Sequence, residues 1–262
     1  MTTHLLRDRD GALEHWTLNN PSRRNALDDE TVTALIAACA DAAADPGLRF
    51  VVLTGAGDAF CAGGHLGDFA SLIGQPLKPG ETDPLMGASQ RFGDLLHALS
   101  RLPQLLIAAV DGPALAGGFG LVCCADVVIA TPRASFGTPE VTLGIAPAQI
   151  AAFVWRRLGD AAARQCLLQA RKFDAREAQR LGLVDEVADD LPAATRVLID
   201  RLRLMAPDAV AATKRLLNDL ATHATPDLRP QAALAFAASL RSPEAPEGLN
   251  AFAKKRKPRW AE

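Results

Sequence analysis

The residues best able to do chemistry in this chain lie in two glycine-rich stretches. The first reads Phe60-Cys61-Ala62-Gly63-Gly64-His65. The second reads Asp111-Gly112-Pro113-Ala114-Leu115-Ala116-Gly117-Gly118-Phe119-Gly120. Glycine lets backbone approach a ligand closely and leaves N–H groups that no neighbouring strand claims. A cluster that opens a helix aims those groups at whatever sits there. Gly117, followed by Phe119, Leu121, Val122 and Cys123, reads as such a start. Two N–H donors converging on one carbonyl oxygen make an oxyanion hole, where losing one donor typically costs about 10²–10³ in turnover. Taken singly, each cluster serves a tight turn equally well. Neither is a G-x-G-x-x-G with an acidic residue about twenty positions on, and neither ends in Gly-Lys-Ser/Thr, so dinucleotide and P-loop chemistry are poorly supported.

Metal and thiol chemistry find little footing. The cysteines at 39, 61, 123, 124 and 166 are odd in number and lack C-x-x-C spacing, and the five histidines are scattered. Reduced core thiols and no metal are expected.

The elements that must hold the clusters follow from periodicity. Residues 4–18 predict a hairpin turning at Asp10-Gly11. Asp28 can cap a helix whose apolar positions Val32, Leu35, Ile36, Cys39, Ala40 and Ala43 share a face, and Pro46-Gly47 ends it. Phe50–Thr54, Leu105–Val110 and Val127–Ala130 predict buried strands, with a helix through Phe92, Leu95, Leu96 and Leu99 between the first two. This alternation predicts an α/β domain with a mostly parallel sheet. Beyond about Ala151 the pattern turns helical, with helices over 192–205, 207–220 and 230–240 and no strand signal after Val184–Val187. Residues 71–90 lack a period, carry three prolines and read as a long functional or mobile loop.

The chain has 262 residues, a formal charge of −2, 49% hydrophobic and 22% charged residues, which suits a soluble globular domain and argues against nucleic acid as a partner. No apolar run long enough to span a membrane and no signal-peptide pattern is read, so a cytoplasmic protein is expected.

Five stretches in order resemble the successive signatures of the enoyl-CoA hydratase/isomerase, or crotonase, family: Asn20 to Leu27, Gly55 to Leu66, Ala108 to Asp126, Phe136 to Pro147 and Glu247 to Trp260. The resemblance implies a crotonase-type ββα spiral core over residues 1–190, which holds the CoA and active sites. A C-terminal helical trimerisation region over 191–262 would follow, in a homo-oligomer that is a trimer or hexamer. It implies that the amides of Gly64 and Gly117 hold a thioester oxygen. Arg24, Ala26, Leu27, Ala62 and Gly63 would lie along CoA, and Phe252 and Lys255 would reach CoA of the same or a neighbouring subunit. Coenzyme A would arrive as part of an acyl-CoA substrate, and no separate cofactor is implied.

The best-known hydratases of this family use two glutamates. Glu140, in Phe136-Gly137-Thr138-Pro139-Glu140-Val141, matches the second; read without the resemblance it is an exposed turn glutamate after proline. Gly120 stands where the first would be, and a positioned acid or base is typically worth about 10²–10⁴ in rate. Three accounts stand open. A single carboxylate isomerises a Δ3,Δ2-enoyl thioester, or it hydrates one by relaying water's proton, or another polar side chain substitutes. A homologue that binds CoA without chemistry is a further alternative. The segment Gly144 to Val154 and the pair Gly120-Leu121 resemble a branch that hydrates 3-methylglutaconyl-CoA and isohexenylglutaconyl-CoA, whose second carboxylate could sit in the space beside Gly120, near Ala148 and Gln149. By the same resemblance His65 stands where many members carry aspartate, and Asp68 and the 71–90 loop border the acyl pocket. Asp126 is expected to be a structural hydrogen-bonding residue, and Trp260 to anchor the C-terminus.

Overall fold

The structure, a computed structural model, describes residues 4–65, 67, 70–77, 80–224 and 229–259. Asp68 and Trp260 therefore lie outside the described residues. Strands β1 (Leu5–Asp10) and β2 (Leu13–Leu18) form the expected antiparallel hairpin. Helix α1 (Asp29–Ala44) starts where Asp28 accepts a hydrogen bond from the Thr31 amide, a cap worth about 1 kcal/mol.

Strand β3 (Phe50–Gly55) and helix α2 (Pro84–Ser100) follow, then β4 (Leu105–Val110), β5 (Pro113–Leu115) and helix α3 (Gly117–Cys123). Strands β6 (Val127–Ala130), β7 (Ser135–Gly137), β8 (Phe173–Asp174) and β9 (Glu186–Val187) are interleaved with α4 (Ala151–Gln169) and α5 (Ala175–Arg180). The main sheet runs β1-β2-β3-β4-β6-β9, parallel from β2 onward, and β5-β7-β8 make a second, smaller sheet. Its strands are two or three residues long, too short for a period-2 pattern to stand out, so this sheet is not foreshadowed by periodicity.

Residues 71–90 are not one long loop. Asp83 caps α2 through the Leu85 amide and Pro84 opens it, a position where its missing N–H is no loss. The last seven residues of that stretch are therefore helix.

The main core lies between the sheet and helices α1 to α5, around fully buried Trp16, Leu53, Phe119 and Phe136. Asp126 plays the structural part expected of it, accepting from the Leu106 amide and from buried Lys214.

The C-terminal helices are α6 (Leu191–Leu202), α7 (Pro207–Ala224), α8 (Arg229–Arg241) and α9 (Glu244–Ala253). The last two are more than an appendage. Ala237, Leu240 and Ala245 join Leu85 and Ile145 in a separate small core, which packs α8 and α9 on α2 and on the turn at Pro139–Leu143. None of the described helices is long and apolar enough to cross a membrane.

Candidate active site

One backbone bridge brings the glycine clusters together. Cys61 pairs with Ala114 in parallel, its amide donating to the Pro113 carbonyl at 3.1 Å and its carbonyl accepting from Leu115 at 2.9 Å. Three residues further along each segment come Gly64 and Gly117, so equal spacing from the bridge carries both amides to one place.

Each of those amides follows a residue with positive φ. Gly63 has φ 94°, and Ala116 has φ 51° with ψ −122°. Turning the backbone there rotates the next peptide away from its neighbours. Neither the Gly64 nor the Gly117 amide has an acceptor among the described residues, and Gly117 opens α3, where a first-turn N–H has no partner within the helix. The conformation suits glycine at 63. At Ala116 it is sparsely populated for an L-residue and costs on the order of 1–3 kcal/mol, of the kind that persists where surroundings over-determine it. Here the Ala116 amide donates to the Gly137 carbonyl at 2.9 Å, and its carbonyl accepts from Gly120 at 3.1 Å.

Glu140 sits in the short 3-10 turn Pro139–Leu143 that follows β7. Thr138, wholly buried, ties the entry of this turn to α4 by donating to the Cys166 carbonyl at 2.6 Å. The Ile145 amide closes its exit on the Glu140 carbonyl at 3.0 Å. Oε2 of Glu140 is buried without a hydrogen-bond partner. Burial disfavours the charged form and pushes the carboxyl up to about 7, only weakly opposed by its own backbone amide. Both protonation states are thus populated near neutral pH, which is what a proton shuttle needs.

Gly64, Gly117 and Glu140 line one cavity of about 290 Å³, walled mainly by apolar side chains such as Leu27, Phe92, Ile145 and Phe236. Among the described residues two other carboxylates reach it, and both are engaged. Asp28 accepts from the amide and hydroxyl of Thr31 and pairs with His4, while Asp29 pairs with Arg91 at 2.9 Å. Among the described residues of the wall, Glu140 is the carboxylate left to act.

Leu27, Ala62, Ala148 and Gln149 line the same cavity. Arg24, Ala26 and Gly63 stand just behind it: the Arg24 carbonyl accepts from Ala62 at 3.0 Å, and the Gly63 carbonyl accepts from Leu27 at 2.8 Å. Phe252 on α9 and Lys255 beyond it are exposed and outside the cavity wall. His65 is also absent from the wall; its ring lies over Gly67.

Gly120 requires a correction. It is buried on α3, and a Cβ built there would stand 2.3 Å from Ile150 Cγ2 and 3.6 Å from Leu96 Cδ2. The space beside it is filled by Ile150, so no substrate group lodges there.

Sequence reasoning passed over Asn25. Its side-chain amide donates to the carbonyls of Ala56 and Ala59 at 2.9 and 2.8 Å, and its Oδ1 accepts from Asn20 at 2.9 Å, which pins segment 20–27 against the first glycine cluster. It also passed over Ser89 and Phe236 on the cavity wall. A polar residue on the buried side of a helix is the one trace Ser89 leaves in the sequence; Phe236 leaves none.

Comparison with known proteins identifies the family. The family model described as enoyl-CoA hydratase/isomerase matches residues 8–262. A putative enoyl-CoA hydratase of Thermus thermophilus is 36% identical over 251 residues, 93% of this chain and 95% of its own length. Among solved structures, AtuE of Pseudomonas aeruginosa is 42% identical with a TM-score of 0.78, covering 99% of this chain and 100% of its own. An enoyl-CoA hydratase from Mycobacterium avium is 34% identical with a TM-score of 0.86, covering 99% and 100%. The chain belongs to the enoyl-CoA hydratase/isomerase family.

Proposed function

We propose that this enzyme adds water to an α,β-unsaturated acyl-CoA thioester, with a branched glutaconyl-type acyl group as the preferred class. The single observation that carries the reading is Glu140, a buried carboxyl near pKa 7 in the same cavity as two unclaimed amides. In this scheme ionised Glu140 takes a proton from water and the water oxygen bonds to the β-carbon. The electron pair moves onto the thioester oxygen, held by the N–H groups of Gly64 and Gly117. Glu140 then returns its proton to the α-carbon as the enolate collapses. One carboxyl suffices because it is base in the first half and acid in the second. No cofactor takes part, since coenzyme A arrives with the acyl group.

A second reading is favoured by the engagement of Asp28 and Asp29, which leaves one carboxyl free among the described residues of the wall. Glu140 would take a proton from the α-carbon of a Δ3-enoyl thioester and return it at the γ-carbon, an isomerisation. We also propose a homo-oligomer, a trimer or hexamer, supported by exposed Val197 on α6, Leu204 just past its end and Leu216, Leu217 and Leu220 on α7.

The deciding experiment follows enoyl absorbance and solvent deuterium for 3-methylglutaconyl-CoA and crotonyl-CoA, with wild type and Glu140→Gln. Loss of the conjugated enoyl band, abolished in the variant, supports hydration. Unchanged turnover in Glu140→Gln removes the residue from the mechanism. Deuterium entry without net hydration favours isomerisation.

A further inference from the structure

Gln149 and Ile150, adjacent in sequence, each seat a side chain in a notch opened by a glycine. A Cβ on Gly93 of α2 would lie 2.4 Å from Gln149 Oε1, as one on Gly120 would lie 2.3 Å from Ile150. The Gln149 amide nitrogen donates to Ser89 Oγ at 3.1 Å and to the Arg229 carbonyl at 3.3 Å. Both its hydrogens are thereby used, so Gln149 has no donor left for a ligand. Ser89 is in the opposite condition. It is 5% exposed, lines the cavity and accepts from Gln149, yet its own hydroxyl hydrogen has no acceptor among the described residues. An unpaired hydroxyl among apolar side chains is unfavourable, and a ligand oxygen relieves it.

We propose that Ser89 is a specificity-determining residue, donating its hydroxyl hydrogen to an oxygen on the acyl chain remote from the thioester. The inference rests on the hydratase reading and names its substrate class: enoyl thioesters whose acyl group carries an oxygen acceptor. Gln149 is a positioning residue that holds the Ser89 oxygen. Arg91 lines the same cavity, but Asp29 and Thr33 engage its guanidinium at 2.9 and 2.6 Å. The commitment is therefore to the acceptor oxygen rather than to its charge.

Saturated thioesters test this without turnover. Glutaryl-CoA, its terminal methyl ester and hexanoyl-CoA are titrated calorimetrically into wild type, Ser89→Ala and Ser89→Thr. Wild type is expected to favour an oxygen-bearing chain over hexanoyl-CoA. Ser89→Ala is expected to reduce that preference about tenfold or more, the worth of one buried hydrogen bond, and Ser89→Thr to retain most of it. Preference for glutaryl-CoA alone, or for both oxygenated chains, supports the proposal and tells an anionic from a neutral acceptor. No preference in wild type, or equal weakening of all three ligands by Ser89→Ala, overturns it. Hydration of the unsaturated counterparts is read separately. Selective binding without hydration removes the hydratase reading and leaves the role of Ser89 standing.

Discussion

Gly120 and Ile150 share one volume: a Cβ on the first would stand 2.3 Å from Cγ2 of the second. The space at Gly120 is closed in this chain by a neighbouring methyl group, and Leu96 backs it. The lack of room for a longer side chain at position 120 is therefore a property of packing as well as of one residue.

Gly120→Ala is expected to destabilise the fold by about 1–3 kcal/mol, the usual cost of forcing a methyl into a filled core. Ile150→Ala is expected to cost about 2–5 kcal/mol through the cavity it leaves. The double variant should cost clearly less than the sum, because each change makes room for the other. Urea unfolding of all four proteins measures the coupling, and strict additivity would contradict a shared volume.

Stability should also report the Glu140 carboxyl. Its folded pKa, about 7, lies above the ordinary 4.5. Below the ordinary value both states are protonated and stability is full. As pH rises toward the folded value, the unfolded chain has released a proton that the native one still holds, so stability falls. The loss is complete above that pKa and amounts to roughly 3 kcal/mol. Glu140→Gln does not titrate there, so its melting temperature should exceed that of wild type at pH 8 and converge with it near pH 4.

Gly63→Ala tests the amide pair without touching either donor. The new methyl would meet Ala116 Cβ at 2.6 Å in a φ of 94°, disfavoured for any L-side chain. Turnover is expected to fall about 10²–10³ as one donor is displaced. Hydration rates at saturating substrate, beside circular dichroism to show that the fold persists, decide it.

Arg241 clamps the C-terminal cover. It donates to both oxygens of Asp83, each at 2.6 Å, and to the Gln75 carbonyl at 2.6 Å, while Asp83 also caps α2. Arg241→Met should cost about 2–4 kcal/mol, since it leaves a buried carboxylate uncompensated. Because α8 and α2 supply Phe236 and Ser89 to the cavity, KM should rise more than kcat falls. A fall confined to kcat would contradict a role in holding the acyl wall.

Much of this was legible in the sequence because local rules are strong where chains are regular. The cap at Asp28, the apolar strands at 50 and 105 and the glycine clusters each follow from a few neighbouring residues. The clusters could be assigned a common purpose through resemblance alone, since nothing local says that Cys61 pairs with Ala114. Tertiary structure decided what distance in sequence conceals. It showed that Ile150 fills the space at Gly120, that α8 brings Phe236 to the cavity wall, and that Ser89 keeps an unspent donor beside Gln149. These are facts of volume and of hydrogen-bond partners, and packing settles both only when segments tens of residues apart meet.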